Sequence, residues 1–347
     1  MNTILTYYER ICQVVILSFN TNPGSLNINT GYGYAGYHMV TSMQELGHKI
    51  PFRYPKSKVQ LNFSQPQFIQ FNKGQKQIAF HPWESTQLKQ GWLETLKQAD
   101  DVWAPSQWVA NIYKDLGIDD VYVYPHGVEK LWKPVKRKTN GPLRFLHVGE
   151  PAPRKGGQMV FEAFLQVFGN DPDYQLTIKA HHYNTIRLYN NYNKYNNIYN
   201  KYNISNIYNI NNISIITNDV STSQLAGIFM THHCLVYPSY GEGFGFIPLQ
   251  ALATGMPTIC TGEWAEYKKY LGELELKSSY IPSPWPDMHP GYMPEPDFDH
   301  LCDLLKDVAN RYNTHSEVFY NQAAEVAQAF DWLQLTNNAM KRIEEKF

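Results

Sequence analysis

Residues 237 to 257 read Tyr-Pro-Ser-Tyr-Gly-Glu-Gly-Phe-Gly-Phe-Ile-Pro-Leu-Gln-Ala-Leu-Ala-Thr-Gly-Met-Pro, and this run restricts the fold more than any other. The apolar stretch Cys234 to Tyr237 predicts a buried strand, and a Pro/Ser/Gly turn follows it. A helix is expected from near Pro248, with Leu249, Leu252 and Ala253 at helical spacing and Gln250 on it. Strand, glycine loop, helix is the repeating joint of an α/β domain with parallel strands. Glu242, Gly243 and Gly245 occupy the loop. Glycines there let a ligand approach the backbone, and the free N–H groups and dipole of the helix start attract an anion. Glu242 adds an acceptor for hydroxyl groups, so the joint suits a sugar diphosphate.

The segment Glu242-Gly-Phe-Gly-Phe-Ile-Pro-Leu-Gln250 resembles the nucleotide-sugar site of family 4 glycosyltransferases, enzymes of the GT-B fold whose signature is Glu, seven residues, Glu. The resemblance implies that Glu242 and the backbone of Gly243, Phe244, Gly245 and Phe246 contact the donor sugar and phosphate. It also implies that position 250 binds the ribose. Gln250 replaces the usual second Glu, which keeps one acceptor oxygen and loses a charge-assisted hydrogen bond.

Other motifs fall in matching order. An apolar run at Ile11 to Phe19 precedes Asn29-Thr-Gly-Tyr-Gly-Tyr-Ala-Gly-Tyr37 and a helical pattern closing at Gly47. This is the opening unit of a nucleotide-type domain, and the resemblance places Gly31 and Gly33 at the cleft. A short strand at Gln77 to Phe80 runs into His81-Pro-Trp-Glu-Ser-Thr86, with a helix expected from about Leu88 to Ala99. A histidine at the carboxyl end of a parallel strand points to the crevice where such folds bind ligands. His81 and Glu84 are therefore candidate catalytic residues with Glu242: His81 for a hydroxyl, Glu84 as orienter or base. Ala99 to Trp108 reads as a strand ending in a helix start capped by Ser106, and Val121 to Val128 as the last strand before a linker at 132–142. Gly149-Glu-Pro-Ala-Pro-Arg-Lys-Gly156 follows the strand Leu143 to Val148. Members of the family carry an Arg directly after the first Gly and a Lys before the last, and this chain has Glu150 and Lys155 there. Arg154 and Lys155 are the expected diphosphate ligands, since guanidinium suits bidentate phosphate contact.

Composition narrows the partners. Lys plus Arg number 30 against 31 for Asp plus Glu, so whole-chain charge selects no polyanion. Residues 49–97 nonetheless hold eight cations (Lys49, Arg53, Lys56, Lys58, Lys73, Lys76, Lys89, Lys97) against Glu84 and Glu94, a stretch able to attract an anionic acceptor. Residues 183–212 contain 12 Asn and 7 Tyr and read as a low-complexity insertion. Cys12, Cys234, Cys260 and Cys302 show no metal-ligand spacing and suit a reducing compartment. With no signal-peptide pattern and no apolar run approaching ~20 residues, a cytoplasmic protein without integral membrane association is expected.

The expectation is thus an α/β chain of the GT-B type, with two Rossmann-like doubly wound domains facing a central cleft. Residues 1–138 would form the acceptor domain, 139–330 the nucleotide-sugar domain with the insertion, and 331–347 a helix packing back on the first domain. The resemblance implies a retaining, metal-independent transferase that uses a nucleoside-diphosphate sugar such as a UDP-sugar as donor substrate and needs no cofactor. Its acceptor would be a glycan, a lipid-linked glycan or a hydroxymethylated DNA base. The replacements at 150 and 250 leave a catalytically impaired nucleotide-sugar-binding protein as the alternative.

Overall fold

The computed structural model describes residues 14–22, 27, 28, 30–138, 140–150, 152–180 and 211–347. Cys12, Asn29, the first residues of the Ile11 to Phe19 run and positions 183–210 of the Asn/Tyr-rich insertion lie outside them.

Five short, almost wholly buried strands build the first sheet: β1 (Leu17–Asn20), β2 (Val59–Phe63), β3 (Lys76–Phe80), β4 (Asp101–Ala104) and β5 (Val121–Val123). They pair in parallel in that order. Parallel bridges from Ile16 to Lys49 and from Phe19 to Phe52 lay segment 49–52 along the free edge of β1. The chain therefore leaves β1 in one direction through helix α1 (Gly31–Glu45), then crosses back and proceeds the other way through α2 (Trp92–Leu96) and α3 (Gln107–Asp115). Right-handed crossovers running in opposite directions place their helices on opposite faces. The cores agree: α1 packs with Leu17, Phe19, Phe63 and Phe80, whereas α2 and α3 pack with Ala79, Val102 and Ala104. The domain is doubly wound, with its switch between β1 and β2.

The second sheet comprises β6 (Leu143–Val148), β7 (Tyr174–Lys179), β8 (Ile213–Ile216), β9 (Cys234–Tyr237), β10 (Thr258–Thr261) and β11 (Glu275–Leu276). Its spatial order is β11-β10-β9-β6-β7-β8, all parallel. The direction of winding reverses between β6 and β9, and ligands of open α/β sheets bind outside the carboxyl ends at such a point. Helix α4 (Gly157–Phe168) follows β6, α5 (Thr222–Thr231) precedes β9 and α6 (Phe246–Ala253) follows it. A reciprocal Ser221/Gln224 capping box starts α5. The long α7 (Phe298–Ala329) is interrupted at Arg311 (φ −122°, ψ 24°).

The last helix, α8 (Trp332–Lys346), returns to the first domain, where Trp332, Ala339, Met340 and Ile343 complete the core beneath α1. Tyr124 and Thr336 share a buried hydroxyl contact of 2.7 Å. The fully buried Asp101 accepts hydrogen bonds from Arg342 (3.0 Å) and Lys346 (2.7 Å). Among the described residues no helix is long and apolar enough to cross a membrane.

Several boundaries differ from the sequence reading. Helix α6 begins at Phe246, so Gln250 lies about one turn in; Pro248 sits in the first turn, where its missing N–H costs nothing. The expected 88–99 helix is helical only over Trp92–Leu96, after Gly91 at φ 79°. Ser106 caps α3 as expected, accepting from Val109 N at 3.3 Å. Residues 278–296, to which the sequence reading assigns no element, form an antiparallel hairpin of β12 (Ser278–Pro282) and β13 (Tyr292–Pro296).

Candidate active site

The geometry centres on the switch point of the second sheet. Two helices begin there, α4 after β6 and α6 after β9, and neither start carries a side-chain cap. Their first N–H groups and dipoles thus remain available to an anion. Gly245 sits at the start of α6 with φ 81°, pressed against Trp264 and Tyr267. Any side chain there would meet both the left-handed backbone and these rings. The Tyr267 hydroxyl donates to the Gly245 carbonyl at 2.7 Å.

Glu242, Arg154 and Lys155 come together in this space. Lys155 Nζ donates to both Glu242 oxygens at 2.7 and 2.8 Å. Ser239 (2.7 Å) and Tyr237 (3.0 Å) donate to Oε1, and Arg154 Nη1 lies 3.4 Å from it. Burial alone would raise this carboxyl, but Lys155 and Arg154 outweigh it and hold Glu242 at about 2. Burial likewise works against the Arg154 charge, and Glu242 and Glu84 more than restore it. The Arg154 guanidinium also donates to the Gly241 carbonyl. Glu150, in the family's Arg position, is exposed, so it is Arg154 that joins Lys155 at the switch point.

The first domain supplies the opposite wall. Glu84 extends towards Arg154 Nη2 at 3.8 Å, and its carboxyl is raised chiefly by burial. The domains touch closely here: a Cβ on Gly243 would strike Pro82, and the Gly243 carbonyl accepts from Ser106 Oγ at 3.0 Å. His81, at the end of β3, is buried among Tyr32, Trp83 and Trp92. Its Nδ1 lies 2.7 Å from the Tyr32 hydroxyl, and its Nε2 has no partner among the described residues. Burial, with Lys89 adding to it, pushes the imidazole down to about 3, so it is neutral.

The remaining candidates occupy the joint between domains. Gly31 is exposed in the first turn of α1. Gly33 donates to the capping Thr30 hydroxyl at 3.0 Å and packs on the Asn27 carbonyl. Phe246 stacks on His126 with centroids 5.1 Å apart, and Phe244 packs on His126 and Tyr267. Both phenyl rings are therefore packing groups, and any part these residues take in holding a donor falls to their backbone N–H groups. Gln250 donates to the Tyr34 hydroxyl at 3.1 Å, Tyr34 in turn to Glu129, and the Gln250 Oε1 has no partner among the described residues.

Sequence reading missed Tyr237, Ser239 and Tyr32, which position Glu242 and His81. Tyr237 and Ser239 lie in the same run as Glu242 and were legible there as short-range partners. Tyr32 was not, since its contact with His81 spans two elements. The eight cations of 49–97 form no single track: Lys58 and Lys76 lie at the amino ends of β2 and β3, whereas Arg53 and Lys89 lie towards the carboxyl edge. Among the described residues no three His, Cys, Asp or Glu side chains are grouped to hold a metal ion.

Residues 128–275 match the family model of glycosyl transferases group 1. Sucrose-phosphate synthase from Thermosynechococcus elongatus superposes with a TM-score of 0.62 at 16% identity, over 89% of this chain and 77% of that one. Trehalose 6-phosphate synthase from Burkholderia multivorans gives 0.61 at 12%, over 91% and 78%. A UDP complex of TarM from S. aureus gives 0.57 at 12%, over 82% and 54%. No curated protein sequence matches. The chain has the GT-B fold, and the part of it that matches the group 1 glycosyl transferases is residues 128–275, most of the second domain.

Proposed function

We propose that the protein transfers a sugar from a nucleoside-diphosphate donor to a carbohydrate hydroxyl, with retention at the anomeric carbon and without a metal ion. The observation that carries this reading is the convergence of Lys155 and Arg154 on Glu242 between two uncapped helix starts. A bound diphosphate lies against Lys155 and Arg154, whose nearest carboxylate is Glu242. Lys155, Arg154 and the N–H groups after Gly245 then stabilise charge that grows on the leaving diphosphate, and such preorganised electrostatics is often the largest catalytic contribution. In the transfer, the acceptor oxygen bonds to the anomeric carbon and the bond from that carbon to the diphosphate oxygen breaks. The electron pair leaves with the diphosphate, which also takes the hydroxyl proton. Glu242, kept ionised, accepts hydrogen bonds from donor sugar hydroxyls, and the free Oε1 of Gln250 is an acceptor for a ribose hydroxyl.

UDP is the first nucleotide to test, because two structural neighbours, TarM and the pneumococcal O-GlcNAc transferase GtfA, are described with UDP bound. The test pairs calorimetric titration of UDP, GDP and ADP with nucleotide release from the matching sugar donors. Each donor is supplied with glycans, with hydroxymethylated duplex DNA or with unmodified DNA. Binding of one nucleotide, release stimulated by a glycan, and at least a tenfold loss of nucleotide affinity in Lys155→Ala are expected. Release that requires modified DNA would replace the glycan acceptor. Donor binding without release under any condition would leave the nucleotide-sugar-binding protein, to which Glu150 and Gln250 point.

A further inference from the structure

The β12–β13 hairpin belongs to the second domain by sequence but docks on the first. Thr86 N donates to the Tyr292 carbonyl at 3.0 Å and Tyr292 N to Thr86 Oγ1 at 2.8 Å. Trp108 Nε1 donates to the Tyr280 hydroxyl at 2.9 Å. Gly291 lies so close to Thr86 and Gln87 that a Cβ would collide with them. This docking carries His289, in the turn of the hairpin, to the catalytic cleft. The imidazole packs on Trp83 with centroids 5.6 Å apart, and its Nδ1 faces Glu84 Oε2 at 3.7 Å.

That distance is the informative one. It is too long for a direct hydrogen bond, and the buried Nδ1 has no hydrogen-bond partner among the described residues. The spacing of the two atoms suits one oxygen about 2.8 Å from each, admitted when the pair draws slightly apart. A hydroxyl is the group that satisfies them together, donating to the carboxylate and accepting from the imidazole, or the reverse for the other tautomer. The other end of the same carboxyl points to Arg154, so a hydroxyl held here lies beside the place assigned to the diphosphate. Burial and the neighbouring Arg154 push His289 down to about 4, so the ring carries no charge at neutral pH. Beside this point the hairpin also brings Trp285 edge-on to Tyr240, with centroids 5.4 Å apart, and Tyr240 N donates to the Arg154 carbonyl. Partly exposed aromatic rings next to a hydroxyl-binding pair provide the apolar surface that a sugar ring needs.

We infer that His289 is an acceptor-positioning residue, which together with Glu84 receives the attacking hydroxyl of a carbohydrate acceptor. The inference rests on the donor site proposed above. It adds that the acceptor subsite is shared by the two domains, because Glu84 comes from one and His289 from the other. His289 orients the hydroxyl and takes no proton in the transfer.

The test uses the whole protein and His289→Phe, which retains a ring against Trp83, with His289→Asn as the conservative variant. UDP-glucose and UDP-N-acetylglucosamine are the donors and methyl α- and β-glucosides the acceptor probes. Three quantities are read: UDP affinity, total UDP release, and the ratio of glycoside transfer to donor hydrolysis. UDP affinity within twofold of the parent is expected, with a transfer-to-hydrolysis ratio about tenfold lower in His289→Phe and partly restored in His289→Asn. An unchanged ratio in His289→Phe overturns the inference and leaves the donor reading intact, as does wild-type release of UDP with no transfer to any glycoside. Failure of the wild type to bind UDP overturns both.

Discussion

The two walls of the cleft are built from opposite chemistries. On the second domain, Arg154, Lys155 and Glu242 form a buried ionic cluster at the winding reversal. On the first, the end of β3 presents a neutral histidine boxed by Tyr32, Trp83 and Trp92. Both walls are the carboxyl edges of doubly wound parallel sheets, so topology alone does not separate them. The difference lies in the helix starts beyond the strand ends. After β6 and β9 the helices start uncapped, leaving positive potential that rewards charged partners. In the first domain Thr30 and Ser106 cap α1 and α3 with their own hydroxyls, of its described α-helices only the five-residue α2 starts uncapped, and aromatic rings fill the space at the end of β3. One wall is equipped to hold a polyanion, the other to desolvate what reacts beside it.

Acid should separate the walls most strongly. On the first domain His81 and His126 are held neutral at about 3, each chiefly by burial. A base with a depressed folded-state pKa is protonated first in the unfolded chain. Stability is therefore complete above about pH 6.5 and is lost as pH falls towards the folded values, with a limiting slope of about 1.4 kcal/mol per pH unit for each group. The ionic wall resists longer: with Glu242 at about 2, its contribution is present above the ordinary Glu range and lost only as pH falls below it. Thermal melts from pH 7 to pH 4 should show a steep fall in Tm that begins near pH 6.5. A flat profile down to pH 5 would show that these histidines are not buried as described.

Glu242→Ala is the next largest effect. It leaves Lys155 largely buried without a counter-charge and Arg154 with only Glu84 at 3.8 Å, and about 3–5 kcal/mol of stability should be lost in urea melts. Saturating UDP should restore part of that loss if diphosphate occupies the vacated position. His81→Phe sharpens the contrast from the other side. It removes the unpartnered Nε2 but also the Nδ1 contact of the Tyr32 hydroxyl, so stability should fall by about 1–3 kcal/mol, less than in Glu242→Ala, while sugar transfer falls at least tenfold. A loss of stability as large as that of Glu242→Ala would mean that the two walls are alike.

Much of the second domain was legible because its signals are local. The Cys234 to Pro257 run contains strand, loop, helix and one charged residue within a single joint, and Arg154 and Lys155 sit in the corresponding loop after β6. The parts that escaped reading depend on tertiary placement. Strand β2 carries Gln60 and Asn62, which bond to each other and to Gln77 in a buried amide ladder, so its polar residues masked a strand. Prolines at 282, 294 and 296 made β12 and β13 resemble loop, although an isolated two-stranded ribbon tolerates proline on its outer edges. His289 carries no sequence signal at all, since its meaning comes from a docking contact some 200 residues away in the chain, between Tyr292 and Thr86.

The return of the last helix has a mechanical consequence. The chain passes between domains twice, and the two passages lie side by side: Val128 pairs with Asp331, and Val128 N donates to the Phe330 carbonyl at 2.8 Å. Two adjacent straps suppress twisting and leave one soft angle, as in a door hung on paired pins. The hairpin that carries His289 is a third, separate contact between the domains, and it acts as a latch for that door. Because Thr86 and Tyr292 are joined by two hydrogen bonds next to Glu84 and His289, any swing at residues 128 and 331 that parts those two groups has to break that clasp first.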